Sequence, residues 1–281
     1  MIVPYKVWRQ YGVPQHGLSR LAGWLANSET VWLKNYLIKS FLKRYTVNML
    51  EAVEEDPFAY PSYNTFFTRH LKPETRPIEA HPASLVSPAD ATLYQCGKMD
   101  QETLLKAKNH HHTLISLLGY KDSFSQDFES GYYFCFYLAP QNYHRVHMPL
   151  AGKLLKMRYV PGRLFSVSPL TATHVPQVFA RNERLVLFFE GEKGLFSVIL
   201  VGAMLVGSIH TAWAGQIAPS TLRHIKEVDY AQHPLSLQKG EEVGYFSLGS
   251  TVILLFDKNH DIQSHLNEED TALMGEAIGN F

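Results

Sequence analysis

Cysteine is scarce in this chain: 281 residues contain two, Cys96 and Cys135, both in apolar surroundings. No Cys-x-x-Cys pair and no cysteine–histidine cluster occurs. A disulfide framework and a structural zinc site are therefore not expected, and the thiols read as packing groups in a reducing compartment. Net charge is lacking as well, since Lys plus Arg and Asp plus Glu both number 26. Without an overall basic field there is no electrostatic footprint for nucleic acid. No apolar run reaches the roughly 18–20 residues that cross a bilayer. Pro4, Lys6, Arg9, Gly12 and Pro14 interrupt any leader-like apolar stretch at the start. The expectation is a cytoplasmic protein to which a membrane surface is still open.

The chain does have enough apolar material for a packed core, at 46% hydrophobic and 19% charged residues. Its length suits one large domain, or one domain with an appendage. The first fifty residues differ from the rest. Lys6, Arg9, Arg20, Lys34, Lys39, Lys43 and Arg44 stand against Glu29 alone, a local charge of +6, and Trp8, Trp24 and Trp32 fall in the same segment. Leu18, Leu21, Ala22 and Leu25 recur at helical spacing. Ser28 is positioned to cap a second helix with Glu29 in its first turn, and Val31, Leu37, Ile38, Phe41, Leu42 and Tyr45 share one broad arc. Lys34 falls within that arc, where a long side chain can snorkel. Basic amphipathic helices with aromatic anchors suit an anionic bilayer face, although packing against a core would use the same pattern.

From about Tyr63 the pattern turns strand-like. Tyr132 to Leu138, Arg184 to Phe189, Phe196 to Val201, Val243 to Phe246 and Thr251 to Phe256 are rich in strand formers. Residues 190–194 read as a hairpin connection, and Gly249 with Ser250 as the bend between the last two strands. Thr113 to Leu118 is a short helix candidate. The polar, acidic stretch from Gln263 to Phe281 suggests a surface helix or a frayed tail. The fold class is α+β, with N-terminal amphipathic helices followed by a β-rich catalytic body.

Three segments carry reactive groups: Val86 to Ala91, Pro140 to His147, and Leu248-Gly249-Ser250-Thr251. Asp, His and Ser together permit base-activated nucleophilic chemistry, but fourteen histidines make a chance trio easy to draw. A G-x-S-x-G nucleophile elbow is absent, because Val252 follows Thr251 and a strand follows Ser250. His144 and His147 lack the carboxylate spacing of a metal-binding helix, so no metal is expected.

Taken together, the segments resemble one family. Leu248-Gly249-Ser250-Thr251 resembles the LGST processing motif of bacterial and mitochondrial phosphatidylserine decarboxylases. Phe66-Phe67-Thr68-Arg69-His70-Leu71-Lys72-Pro73 resembles their FFTR-x-LKP signature. Ser87-Pro88-Ala89-Asp90 resembles SP-x-D, and Tyr143-His144-Arg145-Val146-His147 resembles YHR-x-H. Pro161 to Val167, Phe179 to Arg184, Val201-Gly202-Ala203 and Val206-Gly207-Ser208 add further similarity. The resemblance runs in order from about residue 57 to 256. It departs at Lys106 to His112, where a Lys-Gly-x-x-Tyr-Ser-like stretch gives way to Ala107, Lys108 and three histidines, which read as a solvated loop.

The resemblance implies a membrane-associating helical segment over 1–56 and a decarboxylase domain over 57–281, self-cleaved into 1–249 and 250–281. Asp90, His147 and Ser250 would form the processing triad. His147 would deprotonate Ser250, whose oxygen attacks the Gly249 carbonyl, and elimination with loss of ammonia would leave a pyruvoyl group at position 250. That group would form a Schiff base with phosphatidylserine and act as an electron sink while carbon dioxide leaves, giving phosphatidylethanolamine. His144 and His147 are the candidates to return a proton. The implied setting is the cytoplasmic face of the cell membrane, as a peripheral homodimer of processed heterodimers. The strands on either side of the cut are expected to stay paired. Two alternatives stay open: a pyruvoyl enzyme for soluble amino acids, and a non-cleaving serine hydrolase using Asp90, His147 and Ser250.

Overall fold

A computed structural model describes residues 4–99, 103–107, 110–204, 208–218, 222–233, 235–247 and 250–281; the side chains of 103–107 and 110–112 fall outside the description. Eight short helices are present among these residues: α1 (Tyr5–Trp8), α2 (Gln15–Ala26), α3 (Val31–Leu42), α4 (Tyr63–Phe67), α5 (Leu114–Leu118), α6 (Ser123–Asp127), α7 (Pro169–His174) and α8 (Val178–Arg181). The strands begin with β1 (Ser84–Val86), β2 (Ala91–Lys98), β3 (Thr103–Ala107), β4 (His110–Thr113), β5 (Tyr132–Leu138), β6 (Arg145–His147) and β7 (Gly152–Val160). They continue with β8 (Arg184–Glu190), β9 (Leu195–Val201), β10 (Ile209–Thr211), β11 (Gly215–Ala218), β12 (Lys226–Asp229), β13 (Leu235–Leu237) and β14 (Glu242–Phe246). The last four are β15 (Ser250–Phe256), β16 (Gln263–Ser264), β17 (Thr271–Ala272) and β18 (Ala277–Asn280). This is the expected α+β class.

The large sheet has the order β12-β7-β8-β9-β15-β5-β2-β17, with β13 also on β7. Its central strands are apolar on both faces because both faces are covered. Every residue of β15 is buried. On one face Leu138, Val252, Leu254 and Phe256 pack with Val146, Ile209, Val243 and Phe246 of a second sheet, β11-β10-β14-β6. On the other, Cys135, Ile253 and Leu255 pack beneath Leu117, Ala172 and Phe179 of α5, α7 and α8. Thr113 caps α5 by accepting from the Ser116 amide, so that helix forms where its sequence placed it. Both cysteines are free thiols; burial pushes that of Cys135 up, well above the usual thiol range.

Four expectations need correction. The strands flanking the LGST motif are not a hairpin: β14 lies in the small sheet between β10 and β6, whereas β15 lies in the large sheet between β9 and β5. The C-terminal stretch is neither helix nor frayed tail. It adds β17 to β2 and forms the sheet β1-β18-β16, burying Ala272, Met274 and Ile278; these few apolar residues are spaced by turns and give no periodic signal. The helix after Ser28 starts at Val31 with Thr30 at its cap, and Ser28 Oγ only accepts from the Thr30 amide. The backbone of the three-histidine tract is a strand, β4, paired with β3, rather than a loop.

The N-terminal helices bury Ala26, Ile38 and Phe41 against Tyr63, Phe66 and Phe67 of α4. Lys34 is buried within that arc, its Nζ donating to the Phe58 carbonyl at 2.5 Å. The segment is also stitched to the body. The Gln10 and Gln15 side-chain oxygens accept from the Ser166 and Leu164 amides at 2.8 and 2.9 Å, and Tyr11 packs on Phe165. What it leaves in solvent is aromatic and basic: Trp24 is 71% exposed and Trp32 72%, with Trp8, Tyr36, Arg9, Arg20, Lys39 and Lys43 exposed around them. No helix among the described residues is long and apolar enough to cross a membrane.

Candidate active site

Ser250 opens the central strand of the large sheet. Its Cα pairs with Leu138 of β5, and strand alternation turns its side chain to the face shared by Leu138 and Val252, toward the small sheet. The side chain is fully buried and its Oγ has no hydrogen-bond partner. A buried hydroxyl without a partner carries the cost of desolvation unrelieved, so this atom is unspent hydrogen-bonding capacity at the point where the sheet begins. Gly249 and Leu248 lie outside the described residues, as do Val206 and Gly207 of the segment before Ser208. Because β15 follows Ser250 directly, the residue is not in a strand-to-helix elbow.

His144 precedes β6, and its backbone carbonyl accepts from the Phe246 amide at 3.1 Å, which holds it against the strand leading toward position 250. Its Nδ1 lies 2.8 Å from the Asn142 carbonyl. A carbonyl only accepts, so Nδ1 carries the hydrogen and Nε2 presents a lone pair. That Nε2 is buried and unpartnered. The ring packs on Phe67 with centroids 4.3 Å apart. Burial pushes its pKa down to about 3, so the ring is neutral at pH 7.

His147, at the end of β6, is held in the same tautomer. Nδ1 donates to the Gly240 carbonyl at 2.9 Å, and Nε2 accepts from the Tyr143 hydroxyl at 3.2 Å. Gly240 has φ +81°, and a Cβ there would strike Ile78 at 2.7 Å, so only glycine gives the turn that carries this carbonyl. Burial, aided by the Arg145 charge, lowers the His147 pKa against the pull of its carbonyl bond and the carboxylates nearby.

Asp90 closes the turn between β1 and β2. Its carboxylate accepts from Arg76 Nε and Nη2 at 2.9 and 2.7 Å and from the Met274 amide at 2.9 Å. Burial opposes the Arg76 charge, but the Asp90 and Glu51 carboxylates more than offset it and raise its pKa. Asp90 makes no hydrogen bond to His147. It is joined to that residue through its own turn, because the Pro88 carbonyl accepts from the His147 amide at 2.7 Å, and through loop 140–144, because its own carbonyl accepts from Asn142 Nδ2 at 2.9 Å. The structure thus brings Asp90, His144 and His147 around one loop. Hydrogen bonds do not link Asp90, His147 and Ser250 into a chain.

Reading the sequence missed three partners here. Tyr143 sat unremarked inside a quoted motif. Arg76 and the Gly240 carbonyl carried no sequence signal, since their roles depend on contacts with residues far away in the chain. An apolar cavity of about 480 Å³ is lined by Leu25, Phe41, Tyr63, Tyr137, Val167 and Ala203, among others. Tyr137 is the cross-strand neighbour of Thr251, so the cavity lies near the start of β15 on the sheet face opposite the Ser250 side chain.

Comparison with known proteins decides the family. The family model described as phosphatidylserine decarboxylase matches residues 63–280, most of the chain, and a model described as PSD matches 5–46. The chain belongs to the phosphatidylserine decarboxylase family. A Coxiella burnetii phosphatidylserine decarboxylase proenzyme is 48% identical over 269 residues, covering 95% of either chain. A proenzyme of the same name from Shewanella sp. (strain W3-18-1) is 45% identical over 281 residues, covering 98% of this chain and 97% of the relative. Another from Alkalilimnicola ehrlichii is 46% identical over 246 residues, covering 87% and 85%. As a member of the decarboxylase family the chain is a carboxy-lyase, and the expected enzyme class stands.

Proposed function

We propose that the chain cuts itself between Gly249 and Ser250 and then decarboxylates phosphatidylserine to phosphatidylethanolamine at a membrane surface. The observation that carries the reading is Ser250 Oγ: buried, unpartnered and at the head of the central strand. It fits a residue whose hydroxyl is consumed and whose remnant must stay fixed.

In the processing step His147 removes the Ser250 proton through Nε2, the nitrogen its Gly240 bond leaves free of hydrogen. The Tyr143 hydroxyl occupies that nitrogen here and must yield it or relay the proton. The serine oxygen attacks the Gly249 carbonyl and the amide becomes an ester. Loss of the residue 250 Cα proton then expels the Gly249 carboxylate, and hydrolysis of the dehydroalanine releases ammonia and leaves the pyruvoyl group. Asp90 contributes its negative charge near His147 and anchors the turn that holds the His147 backbone.

The pyruvoyl group left at 250 supplies an electron sink for loss of carbon dioxide from an amine-bearing substrate. The chain's own part in turnover is proton handling. His144 Nε2 accepts the proton that the substrate ammonium gives up as it becomes a nucleophile and delivers it to the substrate Cα after carbon dioxide leaves. A ring so reluctant to stay protonated makes a strong acid once charged.

The lipid arrives at the exposed aromatic and basic surface of α1–α3, the segment we assign to membrane contact (1–56), and enters the domain over 57–281 by way of the apolar cavity, which α2 and α3 help to line. We place the protein peripherally at the cytoplasmic face, as a homodimer of processed heterodimers. Intact mass and gel analysis test the first half: two fragments are expected, one ending at Gly249 and one beginning with a blocked residue 250. Carbon dioxide release from phosphatidylserine in mixed micelles tests the second. Active enzyme that stays one chain with an intact Ser250 would overturn the mechanism. Processed enzyme that acts on free serine but not on phosphatidylserine would overturn the substrate.

A further inference from the structure

Arg69 ends the Phe66-Phe67-Thr68-Arg69 segment and has no part in the chemistry above. It is 5% exposed, yet its Nε and Nη1 have no hydrogen-bond partner, and Nη2 makes one long bond, 3.3 Å, to the Gln141 carbonyl. In the other buried arginines every guanidinium nitrogen is engaged. Arg76 holds Asp90, Glu51 and the Thr75 carbonyl. Arg158 holds Glu227, Asp122 and the Leu118 carbonyl. Arg184 donates to four backbone carbonyls. Among the described residues, Arg69 is the buried arginine with guanidinium nitrogens that make no hydrogen bond, although its Cζ lies 5.9 Å from the Phe66 ring centroid. A guanidinium has five N–H groups and cannot shed its charge to escape the cost. Burial does lower its pKa, while Asp90 and Glu51, both engaged with Arg76, favour its charge without touching it.

Its location gives the open donors a purpose. The carbonyl that Nη2 touches belongs to the loop running from Leu138, the partner of Ser250, to His144. The charge is close enough to His144 to disfavour protonation of that ring. Next to it, Thr68 accepts from Arg145 Nε at 2.9 Å, which fixes this end of the segment against β6.

We propose that Arg69 receives the phosphodiester of the lipid headgroup and so selects phosphatidylserine over free amino acids; this rests on the substrate reading above. The headgroup also carries a carboxylate, but a cation bound to it would stabilise the ground state and lose its partner as neutral carbon dioxide forms. The phosphodiester keeps its charge throughout, so a cation held on it anchors substrate and product alike. Charge-assisted bonds from open, preplaced donors are the strong kind.

The test uses processed enzyme, wild type, Arg69→Ala and Arg69→Lys, with processing verified by mass. Two soluble inhibitors separate the anions: glycerophosphoethanolamine has the phosphodiester without the carboxylate, and free serine has the carboxylate without the phosphodiester. Arg69→Ala should raise KM for phosphatidylserine and weaken glycerophosphoethanolamine inhibition by about tenfold or more, with kcat changed much less and serine inhibition little altered. Arg69→Lys should recover part of the loss. Weakened serine inhibition with unchanged glycerophosphoethanolamine inhibition would overturn the phosphodiester assignment, and so would no change in either. Wild-type enzyme that ignores phosphatidylserine would instead remove the substrate reading. If neither variant is processed, a crystal structure of processed wild type with glycerophosphoethanolamine decides: phosphate oxygens on the Arg69 guanidinium support the assignment, and phosphate elsewhere refutes it.

Discussion

Asp90→Ala separates two jobs that the sequence motif assigns to one residue. In the fold, Asp90 is the principal partner of Arg76, with side chains 9% and 7% exposed, and it also accepts the Met274 amide. Removing one member of a buried ion pair costs about 3–5 kcal/mol, because the remaining charge is stranded. Glu51 stays on Arg76 Nη2 at 2.8 Å but is more exposed, so the expected loss is about 3 kcal/mol, or roughly 6–12 °C in Tm for a chain of this size. The comparison belongs in a Ser250→Ala background, where every protein is one uncut chain, and urea melts would read it. Adding Arg76→Leu removes the stranded cation and should restore at least half of the loss, since an apolar replacement of a buried pair is often near neutral. With Ser250 restored, processing then distinguishes the roles. An Asp90→Ala, Arg76→Leu protein that is stable but uncut assigns Asp90 an electrostatic part in processing, whereas recovered cutting assigns it a positioning part. Asp90→Ala within 1 kcal/mol of its parent would refute the buried-pair reasoning.

Other outcomes follow from the same geometry. His144→Ala should still be cut but lose most turnover, and single-turnover assays on processed protein that find unchanged turnover would remove His144 from the reaction. His144 and His147 are held neutral, so the unfolded chain takes up protons that the folded chain refuses. Their contribution is complete above the ordinary histidine pKa of 6.5 and is lost as pH falls toward the His144 value of about 3. Between pH 7.5 and 5.5, stability in urea melts should fall, approaching a slope of about 1.4 kcal/mol per pH unit from His144, with His147 adding in the same direction, and His144→Asn should flatten the slope. Trp24→Ser with Trp32→Ser should reduce flotation with anionic vesicles, and rising salt should weaken what remains; unaffected flotation would count against these helices as the contact.

The candidate site could be proposed from the sequence because family motifs put Asp90, His144, His147 and Ser250 in named segments, and the fold brings the first three around one loop. The strand runs were equally plain, since a sheet covered on both faces needs continuous apolar segments. The pairing of those strands was another matter. Val243 to Phe246 and Thr251 to Phe256 look like a hairpin by proximity, and nothing local in them records that one joins β6 and β10 while the other slots between β5 and β9. Arg76 and Gly240 escaped notice for the same reason: their partners, Asp90 and His147, are 14 and 93 residues away.

If the chain is cut before Ser250 as proposed, the position of β15 has a consequence for the life of the molecule afterwards. The segment from Ser250 onward supplies the middle of the large sheet as well as β16, β17 and β18 at the periphery, so the proposed cut would create two chains that cannot part without dismantling the core. Assembly happens once, while the two pieces are still covalently one and their encounter is unimolecular. A denatured mature enzyme would have to recruit a short, apolar strand from dilute solution, in competition with its aggregation. Its endurance is then a matter of how slowly it opens rather than of where an equilibrium lies, and dilution before refolding should leave the uncut precursor far better able to return than the finished enzyme.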